Sequence, residues 1–275
     1  MKRAARAKIN LSLRIRGKRP DGYHELESVF APLGLADALT FEDAPDFAFT
    51  CDDPTLPVDD SNLAVRAARR FSERTGQPLR VRIHLEKRIP HGAGLGGGSS
   101  DAAAVLRALN DRSGNPLASA VLGEIAGELG SDVPFFLQDS AALCRGRGEI
   151  VVPRPLVKPF AILLIKPPFP VPTPWAYQRW SAARELPGAF HAAQPVDGVE
   201  FVNDLERPVF EKYLFLAALK NWLTQQPEVA AALLSGSGST SFAIVPDAGS
   251  RAELERRTRA EFGDDLWFCQ TETTG

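Results

Sequence analysis

The sequence feature that most limits how this chain can fold is a glycine-rich segment at residues 90–103. It reads Pro-His-Gly-Ala-Gly-Leu-Gly-Gly-Gly-Ser-Ser-Asp-Ala-Ala, with five glycines among seven consecutive residues. Glycine adopts positive φ angles without a steric penalty and lets the backbone approach a ligand closely. The serines and alanines predict a helix that begins at about Ser99, and the first N–H groups of a helix lack partners and carry the positive end of its dipole. This arrangement favours binding of an oligophosphate; a serine-capped glycine turn is the purely structural alternative.

Established phosphate-binding motifs match this segment only in part. A Walker A loop needs a lysine after its glycines, and none follows here. Gly92-x-Gly94-x-x-Gly97 has the spacing of a dinucleotide-binding loop. However, the strand predicted before it alternates between polar and apolar residues, and a second helix follows the first where an acid-terminated strand is expected. The His-Arg-Asp and Asp-Phe-Gly signatures of protein kinases are absent.

Composition and charge are those of an ordinary globular protein of one or two domains. The 275 residues are 44% hydrophobic and 24% charged with a formal net charge of −2, which argues against a surface-wide basic field for nucleic acid or membrane. The longest strongly apolar run, at residues 160–165, is too short to span a bilayer, and we expect no targeting segment. The cysteines Cys51, Cys144 and Cys269 form no Cys-x-x-Cys pair, which indicates buried thiols in a reducing cytoplasm.

Hydrophobic periodicity predicts a mixture of strands and helices. Strands are expected at residues 9–15, 25–30, 41–50, 79–85, 160–165, 242–245 and 266–270. Helices are expected at residues 62–75, 99–110, 118–129, 175–184, 208–225, 227–234 and 248–262, with a frayed tail at residues 271–275. Because most strands alternate, the fold class is α+β with antiparallel sheets, and the proline-rich residues 152–159 form the best linker.

Several segments together resemble a known family. The glycine-rich segment resembles the phosphate loop of the GHMP kinase superfamily. Further matching segments occur in order along nearly the whole chain: Ala-Lys-Ile-Asn at residues 7–10, Pro-Asp-Gly-Tyr-His at 20–24, Gly-Ser-Asp-Val-Pro at 130–134 and Ser-Gly-Ser-Gly-Ser at 235–239. The Asp-Gly-Tyr-His segment beside Ala-Lys-Ile-Asn is the more specific part, and with it the chain resembles the family of 4-diphosphocytidyl-2-C-methyl-D-erythritol kinases.

The resemblance implies a two-domain fold and a phosphoryl-transfer reaction. Residues 1–154 would form an ATP-binding domain with a left-handed β-α-β unit, and residues 155–275 a ferredoxin-like α/β sandwich, with the active site between them. ATP would place its phosphates on the loop with Mg²⁺ bridging the β and γ oxygens. The acceptor would be the 2-hydroxyl of 4-diphosphocytidyl-2-C-methyl-D-erythritol. The residues expected to bind ATP are Pro90, His91, Gly92, Ala93, Gly94, Leu95, Gly96, Gly97, Gly98, Ser99 and Ser100.

Phosphoryl transfer needs charge stabilisation, in-line positioning and a group that takes the acceptor proton. By resemblance, Asp132 is the catalytic base and Lys8 the active-site lysine that pairs with it, with Asn10 beside them on the substrate. Without the resemblance, Asp132 would be read as an N-cap or turn residue before an apolar strand, and Lys8 as a solvated lysine at a strand end.

Aromatic residues are expected to bind the cytosine of the acceptor. An aromatic ring and an imidazole in one loop can stack on a pyrimidine and hydrogen-bond to it, and the resemblance gives this role to Tyr23 and His24. Tyr177 matches the opposing aromatic, although Trp175 competes for that place and core packing is the alternative for either. Thr173 matches a further substrate position. Residues 235–240 form a second glycine-serine turn that would approach the phosphates, or serve only as a strand entry.

Two other functions stay open at this stage. Another GHMP kinase of a small alcohol, such as a homoserine or mevalonate-type enzyme, would not need Tyr23 and His24. A nucleotide-binding protein without turnover would not need Lys8 and Asp132. The expected partner is a small molecule, with no nucleic acid and no membrane, and the chain is expected to be a monomer or weak homodimer. The sequence does not identify the Mg²⁺ ligands.

Overall fold

The computed structural model describes all residues from 1 to 275. Its strands are β1 Lys2–Lys18, β2 His24–Asp43, β3 Ala48–Cys51, β4 Val81–Glu86, β5 Ala142–Gly146, β6 Ile150–Pro153, β7 Ala161–Lys166, β8 Gln194–Val196, β9 Val199–Asn203, β10 Ala231–Leu234, β11 Ser241–Val245 and β12 Trp267–Glu272. Its helices are α1 Leu63–Thr75, α2 Gly97–Arg112, α3 Ser119–Leu129, α4 Thr173–Trp180, α5 Glu206–Lys212, α6 Leu214–Thr224 and α7 Ala248–Phe262, with a 3-10 helix at Pro134–Leu137. The α+β class with two sheets, as predicted, is confirmed.

The larger sheet is built around the long antiparallel pair β1 and β2. The predicted alternation of apolar residues in β1 is confirmed, but the strand is longer than predicted and its register shifts between Arg6 and Lys8 and again between Asn10 and Ser12. Such bulges re-aim side chains. They accompany the burial of Lys8 and Asn10, which are only 4% and 1% exposed, so the alternative interpretation of Lys8 as a solvated lysine at a strand end is wrong.

One face of the larger sheet is covered by three helices. Strands β3 and β4 are parallel neighbours joined through α1, which makes a β-α-β unit. Helix α1 begins where the Asn62 side chain accepts a hydrogen bond from Ala64 N, and it ends at Gly76 in the left-handed conformation. Helix α2 packs closely because its buried face is made of small residues, among them Ala102, Ala103 and Ala108.

The smaller sheet has the β-α-β-β-α-β order of a ferredoxin-like sandwich. Its strands lie in the spatial order β10-β11-β7-β12, all antiparallel. A hairpin of β8 and β9 is inserted after β7, and β9 pairs in parallel with β1 in the other sheet. The division of the chain into domains at residues 154 and 155 stays a prediction, and this hairpin shows that the larger sheet takes strands from both sides of it.

Five expectations about local structure are wrong. Residues 231–234 form strand β10 rather than the end of a helix, because a short apolar run fits either state and pairing with β11 decides it. The segment after Asp132 is a 3-10 helix, since Pro134 has no N–H to give to a strand. Residues 41–50 are split between β2 and β3, and the helix expected at 208–225 is broken at Tyr213. The C-terminal residues are not frayed, since Thr273 is 2% exposed.

Strands β5, β6, β8 and β9 have only 3 to 5 residues each, and no periodicity in the sequence predicts them. No helix combines the length and the apolar character that a crossing of the bilayer would require.

Candidate active site

A cleft of about 850 Å³ collects nearly all of the residues singled out from the sequence. It is lined by Lys8, Asn10, Tyr23, His24, Asp132, Thr173, Tyr177 and every residue from Pro90 to Ser99. Ser100 does not line it and is 2% exposed within the first turn of α2. Segments as far apart in the sequence as those of Lys8 and Ser237 therefore meet at one cavity.

The glycine-rich loop is held in a conformation that only glycine adopts easily. Gly92, Gly94 and Gly96 have φ angles of 63°, 76° and 71°. A Cβ at Gly94 would lie 2.2 Å from the Ser235 carbonyl oxygen, so the loop also needs the missing side chain for space. Helix α2 begins at Gly97, two residues earlier than predicted, and its first main-chain hydrogen bond runs from Ser100 N to Gly96 O at 2.9 Å.

The N-terminus of α2 therefore opens into the cleft as an anion site. The N–H groups of Gly97, Gly98 and Ser99 precede the first intrahelical donor, and all three residues line the cavity. Unpaired N–H groups at the positive end of a helix dipole bind phosphate oxygens.

Two neighbouring segments hold the main chain of the glycine-rich loop in place by hydrogen bonds. Lys8 N donates to Leu95 O at 2.9 Å, and Thr240 N donates to Ala93 O at 3.2 Å. The Ser235 hydroxyl donates to Gly94 O at 3.0 Å. The second glycine-serine turn thus touches the first loop directly, and its Gly236 and Ser237 also line the cleft.

Lys8 and Asp132 form an ion pair beside the loop. The Lys8 Nζ atom lies 3.4 Å from Asp132 Oδ2 and donates a 2.9 Å hydrogen bond to Asn10 Oδ1. Its ammonium also lies 4.6 Å from the centroid of the Phe30 ring. The Lys8 side chain is 5% exposed and that of Asp132 32%, so the carboxylate is the partner that remains open to the cleft.

Asn10 is oriented by a short chain of hydrogen bonds. Its Nδ2 donates to Ser28 Oγ at 2.9 Å, and that hydroxyl donates to Ser12 O at 2.5 Å. With its amide nitrogen occupied in this way, Asn10 presents its oxygen to the Lys8 ammonium.

A further part of the cleft, called the aromatic end below, is lined by the rings of Tyr23, His24 and Tyr177. Tyr23 is 51% exposed, while the Tyr177 ring stacks on His24 with centroids 5.6 Å apart and planes at 29°. Burial raises the pKa of the Tyr177 hydroxyl, which therefore stays protonated near neutral pH. Burial and the nearby Lys18 charge lower the pKa of His24, so its imidazole is neutral under the same conditions.

Trp175, which competed with Tyr177 at the level of sequence, lies elsewhere. Its ring packs edge-on against Tyr213 and beneath the Lys212 ammonium at 4.7 Å, and it does not line the cleft. Thr173, at the start of α4, does line it, and its hydroxyl lies 2.7 Å from that of Ser237.

Several residues of the cleft were missed from the sequence. An apolar end beyond the glycine loop is formed by Leu56, Pro57, Leu63 and Leu85. Lys87 and Asp101 also line the cleft and form a buried cluster with Asp37, in which Lys87 Nζ lies 2.5 Å from Asp37 Oδ2 and 2.9 Å from Asp101 Oδ2. An aspartate inside an alanine-rich helix start is the one signal that could have drawn attention to this cluster.

No group of three or more His, Cys, Asp or Glu side chains is placed to hold a metal ion by itself. Two carboxylates nevertheless line the same cleft as the anion site, those of Asp101 and Asp132, and the Oδ1 atom of Asp101 is buried without a hydrogen-bond partner. Since Mg²⁺ in phosphoryl-transfer sites is commonly held by one or two carboxylates together with substrate phosphates and water, these residues fit such an ion.

Comparisons with known proteins agree with this geometry. A family model described as the GHMP kinases N terminal domain matches residues 62–140, and one described as GHMP kinases C terminal matches residues 171–264. The 4-diphosphocytidyl-2-C-methyl-D-erythritol kinase of Methylacidiphilum infernorum is 43% identical over 96% of this chain and 93% of its own length. That of Chloroherpeton thalassium is 43% identical over 88% of each chain.

Solved structures give the same picture. A crystal structure of 4-(cytidine 5'-diphospho)-2C-methyl-D-erythritol kinase superposes with a TM-score of 0.79 at 38% identity and covers 100% of both chains. A homoserine kinase from Cytophaga hutchinsonii superposes with a TM-score of 0.66 at 18% identity, covering 98% of this chain and 95% of its own, and shares the fold alone.

Proposed function

The chain belongs to the 4-diphosphocytidyl-2-C-methyl-D-erythritol kinase family of the GHMP kinases, and from this premise we propose how its cleft works. It transfers the γ-phosphoryl group of ATP to the 2-hydroxyl of 4-diphosphocytidyl-2-C-methyl-D-erythritol, giving ADP and the 2-phosphate in the non-mevalonate isoprenoid pathway. The observation that carries the proposal is that one cleft contains an anion-binding helix terminus, a Lys8–Asp132 pair and an aromatic end.

ATP occupies the side of the cleft formed by the glycine loop. Its phosphates accept hydrogen bonds from the N–H groups at the start of α2, where the positive φ angles of Gly94 and Gly96 let the backbone approach them. The adenine lies at the apolar end near Leu63 and Leu85, since a nucleobase buries its faces against apolar side chains.

Asp132 and Lys8 act on the acceptor hydroxyl. The open carboxylate of Asp132 accepts the hydroxyl proton as the oxygen attacks the γ-phosphorus atom. Lys8, held by Asn10 and Asp132, directs its ammonium toward the negative charge that develops between donor and acceptor. Because both residues are fixed before the substrate binds, this electrostatic stabilisation needs little rearrangement.

The cytosine of the acceptor binds at the aromatic end. Tyr23 has an exposed ring and Tyr177 lines the same cleft, and the pyrimidine stacks between these two aromatic side chains. A neutral imidazole offers one donor and one acceptor, which suits the polar edge of cytosine, and His24 is kept neutral by burial. Thr173 and Ser237 provide hydroxyls along the path between the base and the reacting alcohol.

The proposal includes a Mg²⁺ ion bound with ATP. When bound, the ion neutralises charge on the β and γ phosphate oxygens. Asp101 is the carboxylate that would hold it, because it lines the cleft and its Oδ1 has no other partner, whereas Asp132 is engaged by Lys8 and the acceptor hydroxyl.

We also propose the compartment, the assembly and the domain division of the enzyme. The three cysteines are free thiols, which supports a reducing cytoplasm, and the expected assembly is a monomer or weak homodimer without nucleic acid or membrane. The expected division into domains 1–154 and 155–275 belongs to the same proposal.

A coupled assay tests the function directly. Purified protein is incubated with ATP and 4-diphosphocytidyl-2-C-methyl-D-erythritol, with and without Mg²⁺, and ADP release and a new phosphomonoester signal in ³¹P NMR are followed. We expect turnover that depends on both substrates and on Mg²⁺. Homoserine and mevalonate serve as matched alternative acceptors. Phosphorylation of either in preference to the cytidylyl substrate, or ATP binding without any turnover, would overturn the proposal.

A further inference from the structure

Arg147 is a cleft residue that the mechanism above does not use. It lies in the turn between β5 and β6, and its guanidinium carbon is 4.7 Å from the centroid of the Tyr23 ring. Its side chain is 27% exposed and lines the same cavity as Tyr23 and Asp132. The Arg147 guanidinium therefore contacts the Tyr23 ring and also lines the open space of the cleft.

The turn that carries Arg147 is held rigidly next to the catalytic segment. Gly146 N donates to Glu25 Oε1 at 3.1 Å, and Arg147 N donates to Glu149 Oε2 at 2.6 Å. Gly148 has so little space that a Cβ there would lie 3.3 Å from Ser131 O and 3.6 Å from Asp132 Oδ1. Arg147 therefore projects from a fixed turn that contacts the Asp132 segment on one side and Tyr23 on the other.

The charge of Arg147 is also the least compensated among the lysines and arginines of the cleft. Lys8 is bound to Asn10 and Asp132, and Lys87 is bound to two carboxylates. The guanidinium of Arg147 makes no hydrogen bond, and its nearest carboxylate, Glu149, is 3.8 Å from its Nε atom. Both terminal nitrogens thus remain free to bind an anion.

We propose that Arg147 binds the diphosphate of the acceptor and makes the enzyme selective for diphosphate-linked acceptors. This inference rests on the proposed function, in which a diphosphate must bridge the distance from the base at Tyr23 to the hydroxyl at Asp132. The planar guanidinium fork matches two phosphate oxygens at once, and such charge-assisted hydrogen bonds are among the stronger ones. Its stacking on Tyr23 pre-orients the fork before the substrate arrives.

The test compares ligands that differ only in phosphate. Binding of CDP, CMP and cytidine is measured by titration calorimetry with the donor site filled by a non-hydrolysable ATP analogue. In the Arg147→Gln variant we expect CDP affinity to fall by about 10- to 100-fold, since a hydrogen bond to a charged group contributes about that factor, while cytidine changes by less than about 3-fold. Arg147→Lys should restore part of the loss, because an ammonium keeps the charge without the fork.

Arg145 provides a matched control. It lies two residues earlier on β5, is 52% exposed, pairs with Glu27 at 3.4 Å and does not line the cleft. Arg145→Gln should bind all three ligands as the wild type does. In steady state, Arg147→Gln should raise the KM of the acceptor and leave kcat and the KM of ATP within about 3-fold, as expected for loss of uniform binding.

Three results would overturn the inference. An equal loss of CDP and cytidine binding would mean that Arg147 only supports the Tyr23 ring. Unchanged CDP binding would mean that it makes no contact with the diphosphate, and a raised KM for ATP alone would assign it to the donor. Absence of turnover in the wild type would instead contradict the proposed function, and the calorimetric difference between CDP and cytidine would still decide the role of Arg147.

Discussion

The Lys8 ammonium has three close neighbours, of which one can exchange a proton. Asn10 accepts a hydrogen bond and the Phe30 ring presents its face, but neither is a base. Asp132 contacts the ammonium at 3.4 Å and keeps about a third of its side chain exposed to the cleft. The chemistry therefore depends on the carboxylate, while Lys8 contributes a fixed charge.

Replacing that carboxylate by an amide isolates its role as a base. We expect Asp132→Asn to lower kcat by about 10²- to 10⁴-fold with little change in ATP affinity, because the amide keeps the size of the side chain but accepts no proton. Steady-state kinetics and a nucleotide titration measure the two quantities. Asp139→Asn is the control, since Asp139 is 75% exposed, pairs with Arg107 and does not line the cleft. Retention of most of the turnover by Asp132→Asn would exclude Asp132 as the base.

The buried cluster of Asp37, Lys87 and Asp101 has one carboxylate more than it has cations. Burial raises the pKa of Asp101 to about 7, and the neighbouring Asp37 charge adds to the rise while Lys87 opposes it. Asp37 is otherwise satisfied, because its Oδ1 accepts hydrogen bonds from Arg88 N and Ile89 N at 2.6 and 2.8 Å. In the protein without a bound metal ion, Asp101 is therefore the carboxyl of this cluster whose pKa is raised.

The raised pKa of Asp101 makes the stability of the metal-free protein depend on pH in a predictable direction. In the unfolded chain Asp101 has its ordinary pKa of 3.8, so between about pH 4 and pH 7 the folded protein binds more protons than the unfolded one. The free energy of unfolding should fall as pH rises through this window, by at most about 1.4 kcal/mol per pH unit from this group. Urea unfolding from pH 5 to pH 8 measures the slope. Asp101→Asn should reduce it, whereas Asp43→Asn at a 95% exposed carboxylate should not; equal slopes in all three proteins would contradict the assignment.

At the scale of elements, the phosphate loop depends on backbone conformations that its neighbours enforce. The loop lies between β4 and α2, and it is tied on one side to β1 and on the other to the turn between β10 and β11. Gly94 combines a positive φ with a Cβ position that collides with the Ser235 carbonyl, so a side chain there would disturb both loops together.

Gly94→Ala tests this coupling. We expect it to lower the unfolding temperature and to raise the KM of ATP at least about 10-fold, because the strained φ costs of order 1–3 kcal/mol and the clash is with backbone that cannot move aside. The matched control is Gly123→Ala in α3, where nothing lies within 4 Å of the new Cβ and the change should be neutral or slightly stabilising. A Gly94→Ala protein with the ATP KM and melting temperature of the wild type would show that the loop rearranges freely.

The elements that could be predicted from the sequence are those whose pattern is local. Helix α1 has its Asn62 cap, its apolar face and its terminal Gly76, and helix α7 was predicted with the bounds that it has in the structure. Strands β8 and β9 have only three and five residues. Strand β9 pairs with the distant β1, where Val202 lies opposite Ser12. No local pattern records such a pairing.

The same distinction separates the predicted and the missed residues of the cleft. The glycine loop and the Lys8, Tyr23 and Asp132 segments stand out because each is a short motif, and the structure brings them to one cavity. Arg147 and Lys87 belong to no recognised motif. They reach the cavity because sheet pairing of β5 and β4 places the residues that follow these strands beside it. Tertiary packing determines their positions, and the hydrophobic periodicity of the sequence does not predict it.

At the scale of the whole molecule, the two sheets are joined around the cleft by several contacts. Strand β9 pairs with β1, the two glycine loops bond to each other, and the C-terminal residues cross from the smaller sheet to β2. The residues that make this contact with β2 belong to the tail at 271–275, which the sequence wrongly predicts to be frayed. Thr273 N donates to Phe160 O at 3.0 Å, Phe160 N donates to Thr273 Oγ1 at 2.8 Å, and Thr274 N donates to Pro32 O at 2.8 Å.

Removing residues 273–275 should therefore destabilise the whole molecule rather than only its end. Three hydrogen bonds in a largely buried setting correspond to roughly 2–4 kcal/mol of unfolding free energy, which urea denaturation can measure. Removal of Gly275 alone keeps all three bonds and is the control, and Thr273→Val, which removes only the acceptor for Phe160 N, should lie between the two. Well below the melting temperature we expect kcat within a few-fold of the wild type, because no residue of the tail lines the cleft. If the shortened protein were as stable as the wild type, the contact with β2 would be incidental, and the hairpin, the paired loops and the apolar core shared by the two sheets would suffice to hold them together.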